Sequence, residues 1–238
     1  SMSERSNDGC AARKPSPNRG RNVSLAQTVD TPLAKTIGMV DSLDGLAAIH
    51  GPGHDAVVWT RSPLQSFQNW LDALHPACLP RASLVLPPLS VRDAVGQCCA
   101  LAGTPDNPHR DLLVDDIAAL AWVFAEIASA SYIQLRLDVL SASPRRMRDP
   151  DTDGLRLVCT YRGRGTQCGI ADRGAQARRV FTVPTGAPIV SRRPLRANDA
   201  PSALHQHAPP DASTHDTRLL LTLEPVEPTN AGQNPVFH

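Results

Sequence analysis

With 238 residues, the chain is long enough to form one sizeable core, and its composition is typical of a globular protein with polar ends. It has 24 Lys and Arg and 23 Asp and Glu, so the formal net charge is +1 and no broad electrostatic field favours a nucleic acid or an anionic membrane as a partner. We therefore expect a small-molecule or protein substrate, whose identity the composition does not give.

The termini and the cysteines predict a cytoplasmic, reduced protein. No apolar run approaches the roughly 20 residues that span a bilayer, and the opening SMSERSNDGCAARKPSPNRGR lacks the apolar core of a signal peptide. The six cysteines form no CxxC pair, which argues against a zinc ribbon and a thioredoxin-type site. Cys98 and Cys99 fall in a helical pattern and Cys159 in a strand pattern, so we interpret them as small hydrophobic side chains.

Composition along the chain predicts a single domain between two tails. Residues 1–37 are rich in Pro, Ser, Asn, Arg and Gly without a sustained apolar period, which is typical of a disordered tail. Residues 226–238 are similar and are interpreted as a flexible tail. The domain between them divides into a helical scaffold over about 38–130 and a β-rich part over about 131–225.

The first helix is predicted from TRSPLQSFQNWLDAL. Ser62 is its expected N-cap, Pro63 its first residue and Gln65 the partner that completes a capping box. Apolar residues at helical spacing define the face that we expect to be buried: Leu64, Phe67, Leu71 and Leu74.

Two further helices follow. SVRDAVGQCCALAG has Ser90 as its expected cap and Gly103 as its stop, and its expected inward residues are Val91, Val95, Cys98 and Ala102. In DLLVDDIAALAWVFAEIAS, Asp115 and Asp116 lie near the positive N-terminal end, and Trp122 is interpreted as a packing residue. The expected inward residues of that helix are Leu113, Ile117, Leu120, Phe124 and Ile127.

After Ser131 the apolar period changes from about 3.6 to 2, which indicates strands. In YIQLRLDVL the apolar residues Ile133, Leu135, Leu137 and Val139 alternate with polar ones. The segments LRLVCTY, RRVFTV, PIVS and RLLLTLE are further strand candidates, separated by Gly, Pro and Asn-Asp turns. This order favours a β-sandwich or barrel over a parallel α/β sheet.

The acidic stretch DPDTDG raises the question of a metal site. It matches the start of an EF-hand loop, but the twelfth position, where glutamate closes the calcium shell, is Thr160, so we reject a calcium loop. Asp149 and Asp151 are two residues apart, which places both on one face of an extended segment, and Asp153 extends that face. His205 and His207 precede the last strand. The residues alone leave two interpretations open, a metal site and an ordinary acidic turn with polar-loop histidines.

Several segments resemble one bacterial family, called domain of unknown function 1826. They are VVWTRS (57–62), DDIAALAWVFA (115–125), LRLDVL (135–140), LRLVCTYRGRGTQ (155–167) and HQHAPPDASTHDTRLLLTLEP (205–225). The resemblance covers about residues 38–225. Together with the helix and strand patterns it implies an α+β fold, in which a helical N-terminal half packs on a C-terminal double-stranded β-helix of the cupin or jelly-roll type.

The resemblance also implies a metal site. The family's His-x-Asp and a later His look like the two-His-one-carboxylate triad of Fe(II)/2-oxoglutarate oxygenases. In this chain the Asp corresponds to Asp151, the later His to His205, and the first His is replaced by Asp149. A carboxylate there favours oxygen-preferring ions such as Mn²⁺ or Mg²⁺ over Fe(II), so the expected cofactor is a divalent metal, with Fe, Mn and Zn left open, and 2-oxoglutarate.

A basic residue on the last strand is a further implication, because a guanidinium pairs with both oxygens of a cosubstrate carboxylate. Arg218 is at that position, with a plain surface charge as the alternative. Tyr161 and Thr166 are candidates to line the same cavity.

Two functions are therefore expected to compete. The first is an oxygenase-like, metal-binding enzyme, and the resemblance associates it with zinc homeostasis. The second is a non-catalytic binding or regulatory module that keeps the fold but has lost the metal triad. A metal-independent hydrolase is disfavoured, because the sequence has no GxSxG elbow and no credible Cys-His signature.

Overall fold

The computed structural model describes residues 37–140, 154–172, 179–192, 202–207 and 217–226. Within these residues the backbone forms both helices and strands, and one large sheet dominates. No helix among them is long and apolar enough to cross a membrane.

Three α-helices occur in the described residues: α1 (Gln65–Ala73), α2 (Val91–Leu101) and α3 (Pro108–Ala128). The strands are β1 (Ile37–Val40), β2 (Ala56–Trp59), β3 (Ala82–Leu86), β4 (Ile133–Leu140), β5 (Leu155–Arg162), β6 (Gln167–Asp172), β7 (Arg179–Thr182), β8 (Pro188–Arg192), β9 (Ser202–His207) and β10 (Arg218–Pro225). Short 3-10 helices occupy Asp44–His50, Pro76–Cys78 and Pro88–Ser90.

The described strands form two sheets. Seven strands follow the order β1-β2-β8-β5-β10-β4-β3, and three follow the order β7-β6-β9. Every pairing is antiparallel except β1 with β2. The first half of the chain thus supplies three strands of the large sheet in addition to the helices. We did not predict these strands, because runs of four or five residues are too short to show a period.

Two apolar cores lie on opposite faces of the large sheet. The helix-side core contains residues of all three helices together with Leu157, Cys159 and Tyr161 of β5. The inner core contains the alternate residue Val158, with Ile189 and Leu220, and it also includes Cys168 of the three-stranded sheet. Successive side chains of a strand point to opposite faces, so one strand, β5, contributes to both cores.

Helix α1 corrects the predicted start. It begins at Gln65 with Leu64 as the N-cap, and no side chain caps it, so the Ser62 capping box is wrong. The reason is that the preceding residues are held by tertiary contacts: Pro63 lies against Gly186, where a Cβ would come within 2.9 Å of the proline ring. Phe67 and Leu71 are buried as expected, but Leu64 is 66% exposed.

Helix α2 begins after Ser90 and is followed by Gly103, whose φ of +71° confirms the predicted stop. Ser90 makes no side-chain cap hydrogen bond. The buried residues are Val91, Val95 and Cys99, so the inward cysteine is Cys99 rather than Cys98. The buried stripe follows a spacing of four, which the sequence pattern did not distinguish from a spacing of three.

Helix α3 agrees with the sequence prediction. All five predicted inward residues are buried: Leu113, Ile117, Leu120, Phe124 and Ile127. The helix begins earlier than its apolar pattern, because the Asn107 side chain accepts hydrogen bonds from the backbone N–H groups of His109 and Arg110. Trp122, which we expected to pack, is 46% exposed.

The later strands also agree with the sequence prediction. LRLVCTY, PIVS and RLLLTLE fall in β5, β8 and β10, and RRVFTV overlaps β7. In β4, Ile133, Leu135 and Leu137 are buried and the residues between them are partly exposed. The HQH segment, for which a polar loop was one of the two interpretations, forms the end of β9.

Candidate functional site

The predicted metal ligands are placed only in part. Asp149 and Asp151 lie outside the described residues. His205 lies in β9, where its backbone pairs with Gly169, while the neighbouring Gln206 pairs with Cys168. The described part of the chain contains no group of three His, Cys, Asp or Glu residues arranged to hold a metal ion. The three-ligand site therefore stays a prediction.

Arg218 is the predicted site residue that the structure describes in full. It is the first residue of β10 and shares the inner face with Leu220, two residues along. It is only 7% exposed, and burial lowers the pKa of its guanidinium. Nε donates to the backbone oxygen of Arg164 at 2.8 Å, and Nη2 lies 3.5 Å from Oγ1 of Thr160. No carboxylate of the described residues forms an ion pair with it.

The two glycines of YRGRGT allow the backbone to lie close to Arg218 and to Val183. Gly163 has a φ of +82°, and a Cβ there would lie 2.7 Å from Cγ of Arg218. At Gly165 a Cβ would lie 1.6 Å from the backbone oxygen of Val183. Glycine is thus required at both positions. At 163 it allows Arg218 to pack against the backbone, and at 165 it allows the backbone to pass close to residue 183.

A β-bulge lies in β5 just before these glycines and changes which face of the sheet the neighbouring side chains reach. Leu219 pairs with Arg162 and Leu220 pairs with Thr160, so Tyr161 is the extra residue in β5. Tyr161 faces the helix-side core, which corrects the expectation that it lines a cavity with Thr166. Arg162 also reaches the helix side, where Nη1 donates to the backbone oxygen of Leu74 at 2.7 Å beyond the C-terminal end of α1.

A second polar cluster, not predicted from the sequence, lies on the helix side of the bulge. Arg61 donates from Nη1 and Nη2 to the two carboxylate oxygens of Asp116 at 2.5 and 2.6 Å. The Tyr161 hydroxyl donates to Oδ2 of Asp116 at 2.6 Å, and the Arg61 guanidinium stacks 4.4 Å above the Trp59 ring. We call Arg61, Asp116 and Tyr161 the ion-pair cluster. It joins the segment before α1 to α3 and to β5.

The pKa directions in the ion-pair cluster follow from burial and charge. Burial, followed by the charge of Asp116, raises the pKa of Tyr161, so the phenol stays protonated. Burial acts to lower the pKa of Arg61, but the hydrogen bonds and charge of Asp116 outweigh it and raise that pKa. Burial raises the pKa of the neighbouring Cys159 thiol to about 12. Cys159 is therefore an inert apolar side chain rather than a nucleophile.

A cavity of about 170 Å³ opens beside the ion-pair cluster. Its walls are apolar and are formed by Pro63, Leu64, Phe67 and Leu112, while Arg61, Asp116, Gln68 and Tyr161 supply its polar atoms. The hydrogen bonds of Arg61 and Asp116 are made to each other and to protein groups, including the backbone oxygen of Gly186. The charged groups that line the cavity are therefore already paired with each other, whereas Arg218 on the inner side has no carboxylate partner among the described residues.

The family described as "Protein of unknown function (DUF1826)" matches residues 40–224. The chain belongs to this family. The match covers the ion-pair cluster, the glycine segment and Arg218. Each member of the ion-pair cluster lies in a different segment of the resemblance, respectively VVWTRS, DDIAALAWVFA and CTYRGRGTQ. That distribution was the available signal, but a sequence does not show that three separate segments meet.

Solved structures similar to this DUF1826 chain include three dioxygenases or oxidoreductases. The dioxygenase for auxin oxidation 1 from Arabidopsis thaliana, in a complex with 2-oxoglutarate, is 9% identical with a TM-score of 0.46, over 84% of this chain and 96% of that one. The dioxygenase for auxin oxidation in rice is 13% identical with a TM-score of 0.41, over 82% and 84%. An oxidoreductase of the 2OG-Fe(II) oxygenase family from Burkholderia pseudomallei is 14% identical with a TM-score of 0.33, over 79% and 94%.

These identities and TM-scores are too low to transfer an activity, so inferences about function rest on the residues of this chain. No curated protein matches the sequence.

Proposed function

We propose that this DUF1826 chain is an oxygenase-like protein that binds a small dicarboxylate, such as 2-oxoglutarate, and a divalent metal ion between its two sheets. The arrangement that supports this proposal is the pair of sheets that contribute to the inner core, which we interpret as a double-stranded β-helix of the jelly-roll type. In the inner core, residues of β5, β8 and β10 meet Cys168 of β6 in the three-stranded sheet. Folds of this type enclose ligands between their sheets.

Arg218 is the single observation that carries the proposal. Burying a cation costs several kcal/mol unless an anion or a set of hydrogen bonds compensates for the lost water. Protein groups accept from Nε and approach Nη2, and within the described part of the chain no other acceptor binds the N–H groups of the terminal nitrogens, which we assign to a ligand. A carboxylate matches these forked donors better than a neutral group does, because two parallel charge-assisted hydrogen bonds form at once.

The metal ligands in this proposal are Asp149, Asp151 and His205. The donor set, two carboxylates and one imidazole, suits a divalent ion that accepts oxygen ligands, including Mn²⁺ and Fe(II). Such an ion, when bound, supplies oxygen activation. The part of this chain is to hold the dicarboxylate through Arg218 in a pocket that excludes water.

Calorimetric titration of the purified protein with 2-oxoglutarate tests the dicarboxylate site. We expect Arg218→Met to weaken binding about 30-fold, because a charge-assisted hydrogen-bond pair contributes about 2 kcal/mol. The matched control is Arg164→Met, which removes an exposed side chain but keeps the backbone oxygen that accepts from Arg218. Equal affinity in the wild type and Arg218→Met, or no binding by the wild type, contradicts the proposal.

Metal analysis of the purified protein tests the ligand set. We expect Asp151→Ala and His205→Ala to lose bound metal, and His207→Ala, two residues further along β9, to retain it. Metal content that is the same in all of these proteins argues against the site. Loss of metal in His207→Ala instead of His205→Ala would move the imidazole ligand to position 207.

Turnover of 2-oxoglutarate separates an enzyme from a non-catalytic module. The alternative function, a binding or regulatory module, is favoured by the carboxylate at position 149. Binding without consumption in both the wild type and Asp149→His supports this alternative, whereas turnover that appears only in Asp149→His favours a degenerate enzyme. Turnover in the wild type excludes the non-catalytic module. The connection with zinc homeostasis rests on the resemblance alone, and comparing growth of a deletion strain with and without a zinc chelator tests it.

A further inference from the structure

The ion-pair cluster on the helix side is connected to the Arg218 site on the inner side through one backbone loop. Besides pairing with Asp116, Arg61 donates from Nε to the backbone oxygen of Gly186 at 2.7 Å. The backbone N–H of the same Gly186 donates to the backbone oxygen of Thr160 at 2.7 Å. Thr160 is the residue whose hydroxyl lies beside Arg218. Gly186 thus accepts from Arg61 of the ion-pair cluster through its carbonyl and donates to Thr160, next to Arg218, through its N–H.

The loop between β7 and β8, residues 183–187, makes further hydrogen bonds to the same part of the chain. The Thr185 hydroxyl donates to the backbone oxygen of Gly163 at 2.6 Å, and the Val183 N–H donates to the backbone oxygen of Thr166 at 2.9 Å. Between these two anchored residues lies Arg164, whose backbone oxygen accepts from Nε of Arg218. The loop therefore fixes the acceptor that orients the Arg218 guanidinium.

The Arg61 side of this connection is rigid. The two-pronged pairing with Asp116 fixes the plane of the guanidinium, and the stacking on Trp59 covers one of its faces. Gly186 has a φ of +84°, and a Cβ there would come within 2.9 Å of Pro63. The loop is therefore held against the segment that carries Arg61, and a shift of Arg61 displaces Gly186.

We propose that Arg61 is a positioning residue for Arg218 and sets the dicarboxylate affinity of the inner site without touching the ligand. This inference rests on the proposed dicarboxylate site. A binding group has to be held to within a fraction of an ångström, and here the holding contacts are Arg61 to Gly186, Gly186 to Thr160, and the loop to the segment 160–166. Charge alone at position 61 is not enough, because the role requires Nε to bind Gly186 while the terminal nitrogens bind Asp116.

Arg61→Lys tests this distinction. Lysine keeps the positive charge for Asp116 but has one nitrogen, which does not reproduce the fork that also reaches Gly186. We expect 2-oxoglutarate affinity to fall about tenfold, the effect typical of losing a group that orients a directly binding residue. The matched control is Arg92→Lys, which alters an exposed ion pair with Asp115, the neighbour of Asp116 on α3. We expect its affinity to equal that of the wild type.

Hydrogen exchange in the absence of ligand gives a second readout. We expect faster exchange of the Gly186 amide and of the Arg218 Nε–H in Arg61→Lys, and unchanged exchange in Arg92→Lys. Unfolding curves of both variants show whether each protein is fully folded under the binding conditions, so a fall in affinity in folded protein is not an effect of stability.

The two readouts separate this inference from the proposed function. If Arg61→Lys matches Arg92→Lys in affinity and exchange, the positioning role is wrong. Faster exchange with unchanged affinity also overturns it, since Arg61 then supports the loop without setting binding. A wild-type protein that binds no dicarboxylate overturns the proposed function, and the exchange of the Arg218 Nε–H then decides by itself whether Arg61 positions that side chain.

Discussion

Two arginines on opposite sides of strand β5, Arg61 and Arg218, have opposite kinds of partner. On the helix side, Arg61 and Tyr161 both donate to Asp116, and Arg162 donates to the backbone oxygens of Leu71 and Leu74. On the inner side, Arg218 is buried and its hydrogen-bond acceptors among the described residues are neutral, whereas Arg156, two residues before Val158 in β5, pairs with Glu224. Paired charges hold elements together, whereas a buried charge without a carboxylate costs stability and points to a ligand. The comparison therefore assigns a structural role to the ion-pair cluster and a binding role to Arg218.

The bulge at Tyr161 makes this separation possible. In a regular strand, Tyr161 and Arg162 would alternate between the two faces, but the extra residue allows both to reach the helix side. Thr160 stays on the inner side next to Arg218. One irregularity thus supplies two contacts to the helices and leaves the inner face open for Arg218.

The largest expected effect comes from adding a side-chain atom at Gly165, where the segment 160–166 passes close to the loop 183–187. Gly165→Ala places a Cβ 1.6 Å from the backbone oxygen of Val183, so the loop has to move. We expect a loss of about 4 kcal/mol in the free energy of unfolding or failure to fold, measured by urea denaturation. Gly96→Ala in α2 is the control. No atom lies within 4 Å of its added Cβ, and it should stabilise by about 0.5 to 1 kcal/mol. A tolerated Gly165→Ala would contradict the close contact.

Breaking the ion-pair cluster should have the next largest effect. Asp116→Asn leaves Arg61 largely buried without its counter-ion, and we expect the free energy of unfolding to fall by about 3 kcal/mol. The control is Asp115→Asn, one residue away on α3. The ion pair of Asp115 with Arg92 has side chains that are 53% and 61% exposed, so the expected loss is below about 0.5 kcal/mol. Equal losses in the two variants would remove the structural role assigned to the helix side.

The expected effect that is smallest near neutral pH concerns one buried thiol on each side of the sheet. Burial raises the pKa of Cys159 and of Cys168 from 9.0 to about 12. The unfolded state therefore releases these protons first, so the contribution of the two thiols to stability is constant below about pH 9 and falls as the pH rises from 9 towards 12. Urea denaturation across this range should show the fall in the free energy of unfolding with pH. In Cys168→Ala the number of protons that this slope represents should be lower by about one. An unchanged slope would mean that the Cys168 thiol is not shielded from water.

The helices and the later strands were predictable because they are long and periodic. Helix α3 buries each of its five predicted inward residues, and β4 follows the predicted alternation. The failures lie where the signal was short or where tertiary contacts decided. The strands β1, β2 and β3 were missed because each has only four or five residues. The Ser62 cap was wrong because Pro63 is held against Gly186 instead of starting a helix.

The sequence by itself determined the family, the α3 helix, the order of the later strands and the choice of Arg218 as a candidate residue. Only the tertiary structure decided that Arg218 is buried on the inner side and that Arg61, Asp116 and Tyr161 meet on the other. The physical reason is the distance along the sequence over which each kind of interaction acts. Helical and strand periods repeat over neighbouring residues, so a sequence displays them. An ion pair across 55 residues and a strand that changes face at a bulge depend on how distant segments pack, which local patterns do not encode.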